Sequence, residues 1–246
     1  MSGPAIVFEN VYKSYPMYAA VGGGIKTVLF NAPKAIREFR SRRFEALRDM
    51  SFEIRNGESV GFVGNNGAGK STILGLMAGV LRPSGGDVHV HGKISPLLEL
   101  GGGFHPDLSG RENIILNGVL LGLTRPEVTN KMEEIIEFSE LLEFIDQPIR
   151  TYSSGMLARL GFSVVAHLEP DILLVDEVLA VGDMSFQQKC IEKMKSFKDS
   201  GVTIILVSHS MEDIRMICDR VIWIEDHCVK MEGLSGVVTQ KYSRRN

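Results

Sequence analysis

What this chain has little of already narrows what it can be. No apolar run approaches the roughly 18 to 20 residues that a membrane-spanning helix needs, and residues 1–16 lack the basic and apolar blocks of a signal peptide. Both absences predict a soluble chain made and kept in the cytoplasm. Cysteine is scarce. Cys190, Cys218 and Cys228 are odd in number and far apart, which fits neither a disulfide framework nor a zinc cluster and predicts reduced, structural thiols. An excess of charge is missing too: 27 Lys+Arg stand against 30 Asp+Glu, a formal net charge of −3, which argues against wrapping nucleic acid with the whole surface. What is present is enough for a full core, 246 residues of which 44% are hydrophobic, in one domain or one domain with a subdomain. Glycine is abundant, 26 residues where average usage gives about 17.

Short β-type runs alternate with helical stretches, the pattern of an α/β protein with a mainly parallel sheet. Ser59 to Val63 stops at Gly64, Ile172 to Val175 ends at Asp176 and Glu177, and Thr203 to Val207 ends at Ser208 and His209. Ligands of open α/β sheets bind at the carboxyl ends of the strands, so one site should collect all three ends. Between the first two strands, Arg125 to Phe144 has helical periodicity and Pro148 closes the block, which assigns about residues 100–150 to an inserted helical subdomain. About residues 1–99 and 151–246 then form the core. The tail from Arg220 reads as strand, short hairpin and terminal helix.

The strongest motif is Gly64-Asn65-Asn66-Gly67-Ala68-Gly69-Lys70-Ser71-Thr72, which fits GxxxxGK[ST] after a strand and before a helical run over 72–81. Glycines let the backbone close around phosphate oxygens with successive N–H groups pointing inward, and the helix N-terminus adds positive potential. Lys70 then reaches the β- and γ-phosphates, and the Ser71 hydroxyl is placed for Mg²⁺. A carboxylate at a neighbouring strand end, Asp176, suits the same ion. The next one, Glu177, suits orienting or deprotonating a water, and His209 suits the γ-phosphate or the water's geometry. An acidic strand end alone is usually a solvated turn, and a lone His is usually structural. The phosphate loop is what gives these their weight.

With these residues in place the chain resembles the nucleotide-binding subunit of ABC transporters over nearly its whole length. The resemblance implies an α/β P-loop NTPase core of RecA type, with a mainly parallel sheet, an antiparallel β portion and an inserted helical subdomain. It also implies ATP and Mg²⁺ as ligands and a homodimer with two composite sites. Tyr152-Ser153-Ser154-Gly155-Met156 stands where the family has its Leu-Ser-Gly-Gly-Gln signature; Ser153 and Gly155 agree, and the segment would act on ATP held by the other subunit. Tyr15 looks like the aromatic that stacks on adenine. Asp183 stands at the family's dimer-loop aspartate, and Glu99 where the family usually has a Mg²⁺-contacting glutamine. Leu-Leu-Glu-Leu-Gly-Gly-Gly-Phe, Tyr-Ser-Ser-Gly-Met and Asp-Glu-Val-Leu-Ala-Val-Gly-Asp together look like the polysaccharide-export branch, which moves lipid-linked O-antigen, teichoic acid or capsule chains out of the bacterial cytoplasm. A separate multi-span membrane subunit, a peripheral place on the inner membrane and no nucleic-acid partner follow from that likeness.

Residues 16–46 form an insertion too long for a simple strand connection. Across 26–48 the basic residues Lys26, Lys34, Arg37, Arg40, Arg42, Arg43 and Arg48 face only Glu38 and Glu45. Pro33 suits the start of a helix with Ile36, Phe39 and Phe44 as its apolar members. A solvated basic helix is the plain reading; the sharper one is contact with the membrane surface or an anionic lipid-diphosphate. Two other classes compete with the exporter. A ribosome-acting or DNA-acting ATPase of this kind usually has paired cassettes or long coiled coil, and one compact cassette without heptads spans Lys70 to Ser153. A binding module without turnover has no need of both Glu177 and His209.

Overall fold

The computed structural model describes residues 3–16, 43–97, 101–176 and 182–245. Glu99, Glu177 and residues 17–42 of the basic insertion lie outside them. Strands β1 (Ile6–Pro16) and β2 (Arg43–Ile54) pair antiparallel, and a phosphate-loop strand β3 (Ser59–Val63) leads into helix α1 (Lys70–Met77). β4 (Gly85–Val90) returns to β1, closing a three-stranded antiparallel sheet in the order β2-β1-β4. β5 (Ile94–Leu97) precedes the helical region α2 (Gly110–Leu120), α3 (Arg125–Asn130) and α4 (Met132–Ser139), followed by short 3₁₀ turns at Leu142–Phe144 and Ile149–Thr151. Then come α5 (Ser154–Ala166), β6 (Ile172–Asp176), α6 (Met184–Asp199), β7 (Thr203–Val207), α7 (Met211–Ile217), the hairpin β8 (Arg220–Glu225) and β9 (Cys228–Leu234), and α8 (Ser235–Ser243).

The second sheet has the order β5-β6-β7-β3-β8-β9, parallel except for the β8–β9 hairpin. Its central strands are buried on both faces, as parallel strands under crossover helices must be. The side chains still divide with period two. Ile172, Leu174, Ile205 and Val207 face a core shared with α1 and the antiparallel sheet; Leu173, Val175, Ile204 and Leu206 face the core under α5 and α6. Helix α1 is thus wedged between the sheets, with Ile73, Leu74, Leu76 and Met77 at most 3% exposed. That burial immobilises the loop in front of it.

Two expectations change in detail. The helical block over 125–144 is not continuous: α3 and α4 are separated at Lys131, and Glu140 ends α4 in the left-handed conformation at φ 57°. Phe44, grouped with a helix opened by Pro33, lies in strand β2, and so do Arg43, Glu45 and Arg48. Strand pairing with β1 overrides the weak helical spacing there. Cys190 and Cys218 are buried free thiols, pushed up to about 12 chiefly by burial, as structural cysteines should be. No helix among the described residues is long and apolar enough to cross a membrane.

Candidate nucleotide site

The loop over 64–69 turns sharply between β3 and α1 because its glycines occupy space that side chains cannot. A Cβ on Gly64 would lie 2.4 Å from the Ile224 carbonyl oxygen, and one on Gly69, at φ 110°, would lie 2.6 Å from that of Ala46. Gly69 is the N-cap of α1, with no side-chain cap and no acidic residue in the first turn. The first amides of the helix therefore present their donor potential to the loop's concave side, the arrangement that binds anions. Lys70 is 7% exposed, and its Nζ donates to Gly64 O at 2.6 Å and Asn65 O at 3.2 Å, which holds the ammonium across the loop. Asn65, Asn66 and Gly67 are exposed, Ala68 is buried, and Thr72 sits half-buried in the first turn.

The parallel register brings the other strand ends alongside. Ser71 Oγ lies 3.5 Å from Asp176 Oδ2, so a hydroxyl and a carboxylate meet at the foot of the loop. Asp176 is level with Val207 on β7, two residues before the exposed His209. A cavity of about 230 Å³ continues from Asn66, Gly67 and Gly69 to Thr72 along a wall of Tyr15, Phe44 and Ala46. Tyr15 thus borders the same space as the phosphate loop, with Lys13 Nζ 5.1 Å from its ring centroid.

The serine-rich turn stands apart from this group. Ser153 is the N-cap of α5 and accepts from Met156 N at 3.2 Å; Ser153 and Ser154 are exposed, Gly155 and Met156 half-buried. Tyr152 anchors the turn by donating its hydroxyl to Phe144 O at 2.6 Å, and burial pushes its phenol up. Arg159, the sixth residue of α5, donates to Asp183 Oδ2 at 2.6 Å and to Glu140 Oε2 at 2.8 Å, and its guanidinium lies 5.0 Å from the Phe186 ring. Asp183 also caps α6 by accepting from Phe186 N, which with Arg159 holds its carboxyl below the usual range. The turn, the helical subdomain and the segment after β6 are joined through one guanidinium. Together Ser153–Met156, Ala158, Arg159, Gly182 and Asp183 line a second open cavity.

Tyr15, residues 64–72, Asp176 and His209 therefore gather at one end of the parallel sheet, whereas Ser153–Met156 and Asp183 form a separate surface. Sequence reasoning named Tyr152 only as part of the signature run and Phe44 only as a member of a helix, and it missed Arg159. Tyr152 had a signal in its place beside the serine turn, and Arg159 in being the basic residue on an otherwise apolar helix. Phe44 had none, since its value depends on cross-strand pairing.

The family model for ABC transporters matches residues 47–180. The O-antigen export system ATP-binding protein RfbB of Klebsiella pneumoniae is 56% identical over 241 residues, 98% of each chain. A protein of the same name from Myxococcus xanthus is 47% identical over 242 residues, 97% of this chain and 55% of its own length. Among solved structures, a dimeric ATP-binding cassette in a post-hydrolysis state with ADP and Pi superposes with a TM-score of 0.74 at 21% identity, covering 94% of this chain and 98% of that one, a likeness of fold. The family model spans more than half of the chain and the Klebsiella relative nearly all of it, and the chain belongs to the ABC transporter family.

Proposed function

We propose that this chain is the ATP-hydrolysing subunit that powers export of a lipid-linked polysaccharide of O-antigen type across the bacterial inner membrane, through a separate membrane subunit. The observation that carries the reading is the 56% identity to an O-antigen export ATP-binding protein with 98% of both chains covered, a span that is not confined to the common motifs.

The residues support a division of labour. Backbone N–H groups of the loop 64–72 and the Lys70 ammonium take the β- and γ-phosphates, and Tyr15 takes the base. Ser71 and Asp176 are hard oxygen donors that fit Mg²⁺, which keeps several waters and takes its remaining oxygens from phosphate. When bound, that ion neutralises the charge that builds on the transferred phosphoryl group. Glu99 is a further candidate for the same ion. Glu177, next in sequence to Asp176, orients the attacking water, and His209 on the adjacent strand steadies it at the γ-phosphate. Ser153–Met156 of one subunit completes the site of a second copy, with Asp183 on the same surface. ATP closes the homodimer, hydrolysis reopens it, and the motion is passed to the membrane subunit.

Deleting the gene in its own host tests the reading. Surface polysaccharide should disappear and lipid-linked chains should accumulate inside, the native chain should restore export, and Lys70→Ala should not. Unaltered surface polysaccharide in the deletion strain would overturn it. In complemented cells, replacing Arg37, Arg40, Arg42 and Arg43 by Ser should reduce export while the isolated chain keeps its basal ATPase, if the basic insertion works at the membrane.

A further inference from the structure

The wall opposite the phosphate loop holds a residue that the nucleotide reading has not used. Phe44 is directly opposite Tyr15 in the β1–β2 register, so both side chains stand on one face of the antiparallel sheet, and both line the cavity that runs on from Lys70. Phe44 is 44% exposed, whereas Phe8 and Phe52 on the same two strands are 1% and 7% exposed. An aromatic left open beside a phosphate loop offers a planar partner to whatever hangs from the phosphates.

The ring is also braced. His227 meets Phe44 edge-on, with centroids 5.4 Å apart and planes at 88°. Asp226 and His227 are the two residues between β8 and β9, at φ 49° and 66°. Such a turn favours glycine at its second place, where an L side chain is strained. Here the second place carries an imidazole instead, whose Nδ1 is 3.2 Å from Ala46 O, while Arg48 N donates to His227 O at 2.9 Å. Ala46 O is the same carbonyl that a Cβ on Gly69 would strike. The hairpin turn, β2 and the phosphate loop are therefore locked together at the point where Phe44 projects.

We propose that Phe44 is a second base-contacting aromatic of the nucleotide site, paired with Tyr15 across β1 and β2, and that His227 is the positioning residue that holds its ring. This rests on the reading of residues 64–72 as the phosphate site. Stacking reads the π-face of a base and tolerates its identity, so Phe44 acts on ATP and GTP alike and has no hold on a phosphate chain that carries no base.

The test is direct binding of ATP, GTP and inorganic tripolyphosphate to the full chain. Phe44→Ala should weaken ATP and GTP by about tenfold and leave tripolyphosphate unchanged, and Phe44→Tyr should restore nucleotide affinity. His227→Gly relieves the turn while removing the brace: its melting temperature should hold or rise, its KM for ATP should rise several-fold and its kcat should stay. Lys70→Ala, by contrast, should lose tripolyphosphate as well, which tests the phosphate site by itself. ATP affinity unchanged in Phe44→Ala, or ATP and tripolyphosphate lost in parallel, overturns the assignment of Phe44. A native KM in His227→Gly overturns that of His227.

Discussion

The two helix N-termini of this chain that face phosphate in the proposed cycle are built in opposite ways. At α1 the cap is a glycine, no side chain satisfies the first amides, and the helix is buried between two sheets. At α5 the Ser153 hydroxyl already accepts from Met156 N, and the turn is exposed. A helix end left open to an anion but fixed by burial is organised before the ligand arrives, so its cost is met by the core. One that caps itself and lies at the surface is stable alone, and in the proposed cycle it gains its ligand when a second copy presents it. The difference teaches which half-site works in a single chain and which needs two.

Substitutions should separate the halves. Lys70→Ala attacks the prepared half and should have the largest effect: ATP affinity falls and hydrolysis drops by at least about 10² to 10³-fold, since a point charge on the phosphates is lost in ground and transition state alike. Titration calorimetry and a phosphate-release assay measure both. Ser153→Ala attacks the other half. It should cost about 1 kcal/mol of stability through the lost cap, leave the single chain's ATP affinity within about twofold, and lower turnover by about tenfold or more. Lost ATP binding in that variant would break the comparison. Arg159→Ala should lower the melting point by about 2–6 °C, because two carboxylates lose one shared, largely covered partner, with turnover reduced and ATP binding kept. The smallest effect is on pH. Lys189 holds the Glu140 carboxyl below its usual range with help from Arg159, and the Phe186 amide does so for Asp183. Carboxyls depressed in the folded chain stabilise it above their unfolded values, near pH 4, and lose that contribution as pH falls through the folded values. Hydrogen-exchange protection factors around α5 and α6, referred to the intrinsic rate at each pH, should fall below about pH 4, ahead of those in α1.

Much of the prepared half was legible because it is local. A GxxxxGKS run between a strand and a helix needs only neighbours in sequence, and an apolar run ending in Asp176 or His209 carries its position with it. The alternation of Leu173 and Val175 against Ile172 and Leu174 shows why periodicity was a poor guide to which face each strand buries: both faces are apolar. β5 went unread because it is four residues long and contains Pro96, which only an edge strand tolerates. The second half was legible as a resemblance, but its supports were not. Arg159 bridges residues 19 before it and 24 after it, and Tyr152 reaches back to Phe144. Phe44 acquires its place from a strand partner beyond a long insertion.

The central claim is that Ser153 of one copy meets the phosphate loop of another. Chains carrying only Asn66→Cys and only Ser153→Cys, each with Lys70 intact and with the partly exposed Cys228 replaced by Ser, should be mixed with Mg-ATP and oxidised, the native Cys190 and Cys218 being buried. The account predicts a disulfide-linked heterodimer that forms with ATP and not without it, and no such product from either variant alone. Equal cross-linking in the absence of ATP, or none in its presence while both variants still bind nucleotide, would contradict it.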